Sequence, residues 1–327
     1  MRIREGLLAL VALAFIGGCG GKAPSVAAQQ PSSPAPSVTE ASPSASPSAA
    51  TVPSGAAPSA AASPSPVAVP AGVTAGVAVF DRTTGTFLSQ VHPTTQFRSA
   101  SLVKLFIALD YLWNRGPTYA VAAADRPRLE VMLRSSDDNA ATSFWKADGS
   151  EQIVTRMISR LHLQNTAPPP ADRTGWGFTA VTAGDLVRVY RYLLDEAPAP
   201  MREFVMSNLH ASTKCGTDAF DQSFGIPTAF QGQPWAAKQG WSGFGDTPAT
   251  PCKPRPSAVA ASTTETFTAV PVASIMGGVV LHTTGTVGAG DRFIVAVLTH
   301  SPSGTSYARA TSTLTQLVRS LPVPPKH

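Results

Sequence analysis

The chain has 327 residues, 43% of them hydrophobic and only 14% charged, with a formal net charge of +5 at pH 7. That positive excess is small and forms no basic cluster, so nucleic acid is not an expected partner. The 3 cysteines and 6 histidines are scattered without metal-ligand spacing, so neither a metal nor another cofactor is expected.

At the amino terminus Arg2 and Arg4 precede an apolar run from Leu7 to Ile16. The run is too short to span a bilayer and right for the core of a signal peptide, read here as residues 1–18. It ends in Ile16-Gly17-Gly18-Cys19, which resembles a bacterial lipobox, where the cysteine is acylated and becomes the new terminus. Lipid chains would supply about 0.8 kcal/mol per buried CH₂ and hold the protein on the extracytoplasmic face of the cell membrane. Residues 19–70 are almost entirely Ala, Pro, Ser, Val, Thr and Gln, with Lys22 and Glu40 the only charges and no aromatic residue. Such a composition buries too little apolar surface to offset the entropy of folding, so a disordered, fairly extended linker is expected. No later segment reads as transmembrane.

Residues 71–327 read as one two-lobed domain. Ala75–Phe80 and Thr86–Val91 are predicted strands joined by the turn Asp81–Gly85, a β-hairpin leading to a helix that begins near Ser101. Pro127 suits the first turn of a helix carrying Leu129, Met132 and Leu133. Ser150 or Gly149 is the expected cap of a helix with the stripe Ile153, Val154, Met157, Ile158 and Leu161. Thr182 and Asp185 resemble a capping box before Leu186, Val189, Tyr190 and Leu193. Trp235–Gln239, Gly278–Thr283 and Phe293–Thr299 are predicted strands, and Leu314, Leu317, Val318 and Leu321 one face of a closing helix.

Ser101-Leu102-Val103-Lys104 carries the chemistry. A spacing of three places hydroxyl and amine on the same helix face, about one turn apart, and the run Leu105–Leu109 marks that helix as buried. In this setting Lys104 is the expected base for a Ser101 nucleophile. The chain contains its own control, because Ser143-Phe144-Trp145-Lys146 repeats the spacing without the context. Downstream lie Ser136-Asp137-Asp138-Asn139 and Lys238-Gln239-Gly240. The order Ser-x-x-Lys, Ser-Asp-Asn-like, Lys-x-Gly is that of class A β-lactamases and penicillin-binding proteins, which residues 71–327 resemble.

The resemblance implies an α/β chain of the α+β type: a five-stranded antiparallel sheet flanked by helices, beside an all-helical lobe with the active site between. It implies Ser101 as nucleophile, Lys104 as base, Ser136 as relay to the leaving nitrogen and Lys238 as the cation for a substrate carboxylate. Asp138, Gln239, Gly240 and Trp241 become the expected substrate contacts, with oxyanion donors from Ser101 and from Trp241 or Ser242. Removing Cys19 leaves Cys215 and Cys252, an even pair outside the cytoplasm expected to form a disulfide that stabilises by roughly 3–4 kcal/mol.

Three departures bear on function. Asp138 stands at the motif's asparagine when the segment is aligned without a gap, whereas an offset alignment puts Asn139 there. Gln239 replaces a hydroxyl residue. No glutamate occurs between Glu151 and Glu196, where a class A β-lactamase carries its deacylating base, and the loop's only acid is Asp172. Two functions follow: a monomeric acyl-serine hydrolase of the cell envelope, slow to deacylate, on a small-molecule or peptidoglycan-derived substrate; or a noncatalytic recognition or scaffolding module.

Overall fold

The computed structural model describes residues 67–253 and 278–324. The predicted signal peptide, Cys19 and nearly all of the 19–70 linker lie outside them. The linker's last residues are described, and Val67 and Val69 already pack against the core, so packing begins slightly before residue 71.

β1 (Thr74–Asp81) and β2 (Thr86–Val91) form the expected hairpin, closed by Gly85 N–H donating to the Asp81 carbonyl at 2.9 Å. Near the chain's other end β5 (Trp235–Ser242), β6 (Val279–Val287) and β7 (Phe293–Ser301) complete a five-stranded, wholly antiparallel sheet in the order β2-β1-β7-β6-β5. A two-residue pair, β3 (Phe97–Arg98) with β4 (Ala180–Val181), lies apart from it. β6 runs four residues past the predicted end at Thr283. Gly285 causes both the misreading and the fit, since a Cβ there would lie 1.9 Å from the Ala236 carbonyl oxygen of β5.

The sheet is buried on both faces, and residue alternation divides it between two cores. Ala78, Phe80, Ile294, Ala296 and Leu298 face α1 (Lys104–Trp113), α5 (Ala183–Arg191) and the helical lobe. Ala75, Val77, Val79, Val295 and Val297 face α7 (Ile226–Ala229) and α8 (Tyr307–Arg319). Leu321, expected on the face of α8, is buried just beyond its end. The lobe is built from α2 (Arg126–Arg134), α3 (Asp138–Ala147), α4 (Glu151–Leu161) and α6 (Ala199–His210). Pro127 sits in the first turn of α2 as read, and Ser150 occupies the N-cap of α4 without a side-chain cap bond. Thr182 caps α5 by accepting from Asp185 N–H at 3.2 Å. Asp185 does not return the bond. Its carboxylate accepts from Gln164 N–H, Asn165 N–H and the Thr166 hydroxyl, which anchors the loop after α4 to α5.

Cys215 and Cys252 are joined, with Cα atoms 5.6 Å apart and 37 positions between them in sequence. The bridge is reinforced by Cys252 N–H donating to the Ala219 carbonyl at 2.8 Å. A cross-link of that span should stabilise by about 4 kcal/mol through loop closure. Reduction, or the paired change Cys215→Ser with Cys252→Ser, is therefore expected to lower the melting temperature measured by calorimetry. An unchanged transition would show that the bridge does not constrain the fold.

Candidate active site

Four side chains from four elements meet where the sheet edge faces the helical lobe. Ser101 lies in a 3₁₀ turn (Ala100–Val103) that runs directly into α1, so Lys104 is the first α-helical residue. Lys104 is completely buried, and its Nζ donates to Ser101 Oγ at 2.9 Å, Ser136 O at 2.5 Å, Ser136 Oγ at 3.3 Å and Asp138 Oδ1 at 2.5 Å. From β5, Lys238 Nζ donates to the same Ser136 hydroxyl at 2.8 Å and to the Gln239 carbonyl at 3.2 Å. Burial holds Lys238 well below the usual lysine range, and the neighbouring Lys104 charge pushes the same way. Ser101, Lys104, Ser136 and Lys238, all buried, thus form one continuous polar chain.

Backbone strain supports the arrangement. Ala100, just before the nucleophile position, has φ 45°, and Ser136 has φ 59°, both left-handed and both non-glycine. The conformation of Ser136 lets its carbonyl meet Lys104 while its hydroxyl meets both lysines. Gly240 allows β5 to reach the Ser101 turn, since a Cβ there would lie 3.0 Å from the Ser99 carbonyl oxygen and 3.2 Å from Leu102 Cγ. The turn is also held from behind. Ser99 N–H donates to the Thr179 carbonyl at 2.7 Å, and His282 Nε2 lies 2.9 Å from the Arg98 carbonyl.

The site acquires kin by sequence as well as geometry. A lipoprotein named LppW, from Mycobacterium tuberculosis and Mycobacterium bovis, is 34% identical over 255 residues, covering 76% of this chain and 70% of that protein. The chain belongs to the LppW lipoprotein family. Among solved structures, PBP-A aligns with TM-score 0.55 at 16% identity, over 77% of this chain and 90% of its own. A class A β-lactamase from Mycobacterium abscessus aligns with TM-score 0.54 at 17% identity, over 76% and 92%. This LppW-family protein therefore has the class A β-lactamase and penicillin-binding-protein fold. No protein-family model matches it.

The ungapped alignment of the second motif is the one realised in space. Asp138 opens α3 and reaches Lys104 with one oxygen while 59% of its side chain stays exposed, and Asp137 caps the helix by accepting from Ala140 N–H at 2.7 Å. Asn139 is exposed at the next position. Gln239 corrects the expectation of a substrate contact. It is fully buried, and its amide nitrogen donates to the carbonyls of Gln222 at 3.1 Å and Phe224 at 2.5 Å. Gly240 acts through close approach, and Trp241 points its indole N–H at Asp218 Oδ2, 2.9 Å away. Asp172 does not stand in for the absent glutamate, since its side chain is 75% exposed and its partner is the adjacent Arg173 at 3.8 Å. The face of Lys104 toward that loop is covered instead by the Trp176 ring, 4.7 Å from Nζ to centroid. Trp176, Asp218 and His282 were not singled out from sequence, because nothing in their local pattern marks them. In the control match Lys146 is exposed. Among the described residues no cluster of acidic, histidine or cysteine side chains is arranged to hold a metal, and no helix is long and apolar enough to cross a membrane.

His282 gives the site a pH signature. It is wholly buried, with Thr299 N–H donating to Nδ1 at 3.2 Å, which leaves the proton on Nε2 for the Arg98 carbonyl. Burial pushes its pKa down to about 4 from 6.5. Between those values the unfolded chain binds a proton that the folded chain refuses, so stability is full above about pH 6.5 and declines as the pH falls toward 4. Over that window the loss is on the order of 3 kcal/mol. In urea unfolding at several pH values, His282→Asn is expected to remove this part of the decline, and parallel curves for the two proteins would contradict it.

Proposed function

We propose that this protein is an acyl-serine enzyme of the cell envelope, acting on β-lactam-type or peptidoglycan-derived acyl compounds and releasing the product slowly. The observation that supports this best is the unbroken path from Ser101 Oγ to Lys104 Nζ to Ser136 Oγ to Lys238 Nζ, with steps of 2.9, 3.3 and 2.8 Å. In the proposed reaction Ser101 Oγ attacks the carbonyl carbon and its proton passes to Lys104, with Asp138 as a second acceptor for that proton. Ser136 then gives its hydroxyl proton to the leaving atom and is reprotonated from Lys104. The acyl group remains on Ser101. Water activation would need a base on the loop that carries Trp176, and there the acid Asp172 faces solvent.

A second reading, a noncatalytic recognition module, draws on the low exposure of Ser101, 6%, and on the Trp176 ring over Lys104. Mass spectrometry after exposure to a panel of β-lactams and activated esters separates the two. The enzyme reading expects a persistent adduct on Ser101, lost in Ser101→Ala and retained in Ser143→Ala. Lys104→Ala should slow its formation by about 10² to 10⁴-fold, the usual worth of a positioned base. Absence of any adduct would favour the module.

Anchoring of the mature protein on the outer face of the membrane by acylated Cys19 is part of the same proposal, supported by membership in a lipoprotein family. Cys19→Ser is expected to release the protein from the membrane fraction or leave an uncleaved precursor. Normal processing with unchanged membrane retention would sink it.

A further inference from the structure

We propose that Asp218 sets the substrate class of this site: the group bound beside β5 is neutral or cationic, an amide, an ester or an ammonium, and not a carboxylate. The inference rests on the acyl-serine reading and narrows it.

A wall that binds a carboxylate must offer donors that are not already committed to the protein, and preferably an accessible positive charge. The cationic and amide side chains named next are all engaged within the protein. Lys238, the cation expected for the purpose, is buried and donates to Ser136 Oγ and to the Gln239 carbonyl. Its burial and the adjacent Lys104 hold its pKa well below the usual lysine range, opposed by the Asp138 and Asp218 carboxylates. Lys104 is enclosed by Ser101, Ser136 and Asp138. Gln239, in place of a hydroxyl, turns into the interior toward Gln222 and Phe224. Arg98 is buried and donates to the carbonyls of Ser242 at 3.2 Å and Gly278 at 2.6 Å. Arg173, on the loop leading to Trp176, stacks over Phe178 and lies beside Asp172.

What the wall does carry is a carboxylate of its own. Asp218 lies on the loop pinned by the Cys215–Cys252 bridge, and Trp241, the residue directly after Lys238-Gln239-Gly240, donates its indole N–H to Asp218 Oδ2 at 2.9 Å. Phe220 N–H donates to Oδ1 at 3.2 Å. The loop is tied to the Ser136 segment by Thr217 N–H donating to the Ser135 carbonyl at 2.9 Å. Burial raises the Asp218 pKa, and the Asp138 carboxylate raises it further, so the two acids feel one another across the site. A ligand carboxylate would add negative charge beside Asp218, whose partners named above are the neutral N–H groups of Trp241 and Phe220, whereas an amide N–H or an ammonium would satisfy it.

The test compares reagents that differ only in this group. Second-order rates of Ser101 acylation would be measured by mass spectrometry on the full domain with benzylpenicillin, its methyl ester and its aminoethyl ester, each divided by that reagent's own rate of hydrolysis by hydroxide. The ester and the aminoethyl ester are expected to acylate about 10-fold faster than the carboxylate, the effect of one unit of like-charge interaction. Asp218→Asn should shrink that ratio severalfold, and Asp218→Glu should keep it. A carboxylate that reacts as fast as or faster than its esters in the native protein overturns the inference and leaves the acyl-serine reading standing. So does an unchanged ratio in a folded Asp218→Asn variant. Failure of every reagent to label Ser101 overturns both.

Discussion

Two buried lysine amines share one serine hydroxyl, and the rest of the structure has to accommodate that. Lys104 and Lys238 each lie within hydrogen-bond reach of Ser136 Oγ, which puts the two nitrogens within about 6 Å of each other. Two ammonium groups at that separation would repel by about 3 kcal/mol at an effective dielectric of 20, before any cost of dehydration. The protein divides the problem. Asp138 places a carboxylate on Lys104 Nζ, while burial holds Lys238 well below the usual lysine range against the opposing pull of the Asp138 and Asp218 carboxylates. The substitution of aspartate at the expected asparagine position is therefore consistent with the charge balance of the site. An amide at that position would accept from Lys104 without offsetting its charge.

Holding these groups together requires contributions from both lobes. β1, β5 and β7 alternate between the two cores, which fixes the face each residue of β5 presents and hence which side Lys238 and Gln239 leave the strand. Gly240 then permits the strand edge to touch the Ser99 carbonyl, and His282, buried in β6 behind it, fastens the Arg98 carbonyl just before the strained Ala100. From the other lobe, α3 begins at Asp138 because Asp137 caps it, and the cap fixes Ser136 in its left-handed turn. Each feature is local, yet each positions an atom of the same polar chain.

Much of this was legible in the sequence, and the failures have physical causes. The hairpin, the helix after Ser101, α5, β7 and α8 announce themselves through period-2 or period-3.6 burial and through turn or cap residues. β5 and β6 were read short because Gly240 and Gly285 look like strand ends; in the fold they are points of close backbone approach, tight for a Cβ at Gly240 and too close for one at Gly285. α3 was recognised as a motif and not as a helix, since its polar opening Asp138-Asn139 masks the stripe of Ala140, Ala141, Phe144 and Trp145. Ser101 and Lys104 followed from their spacing, and Ser136 and Lys238 from the resemblance to class A β-lactamases and penicillin-binding proteins. Trp176 and Asp218 did not, because their importance comes only from what lies across the site: a lysine amine for one, and Trp241 with Asp138 for the other.

The same geometry explains why attack and release should be uncoupled. Every group needed to form an acyl bond comes from the two segments that meet at Ser136 and from the strand that Gly240 brings in. A base for water would have to come from the loop leading to β4, and that loop is fixed at its start by three bonds into Asp185. At its end the Trp176 indole donates to Thr142 at 3.2 Å and covers Lys104 with an aromatic face. An indole ring accepts no proton from water, and it occupies the approach a carboxylate would need to reach Lys104. In the proposed reaction release would lack a base for water on that loop, while attack would use groups already in contact. The slow step would thus be set by which side chain faces Lys104 from that loop, and not by the quality of the nucleophile.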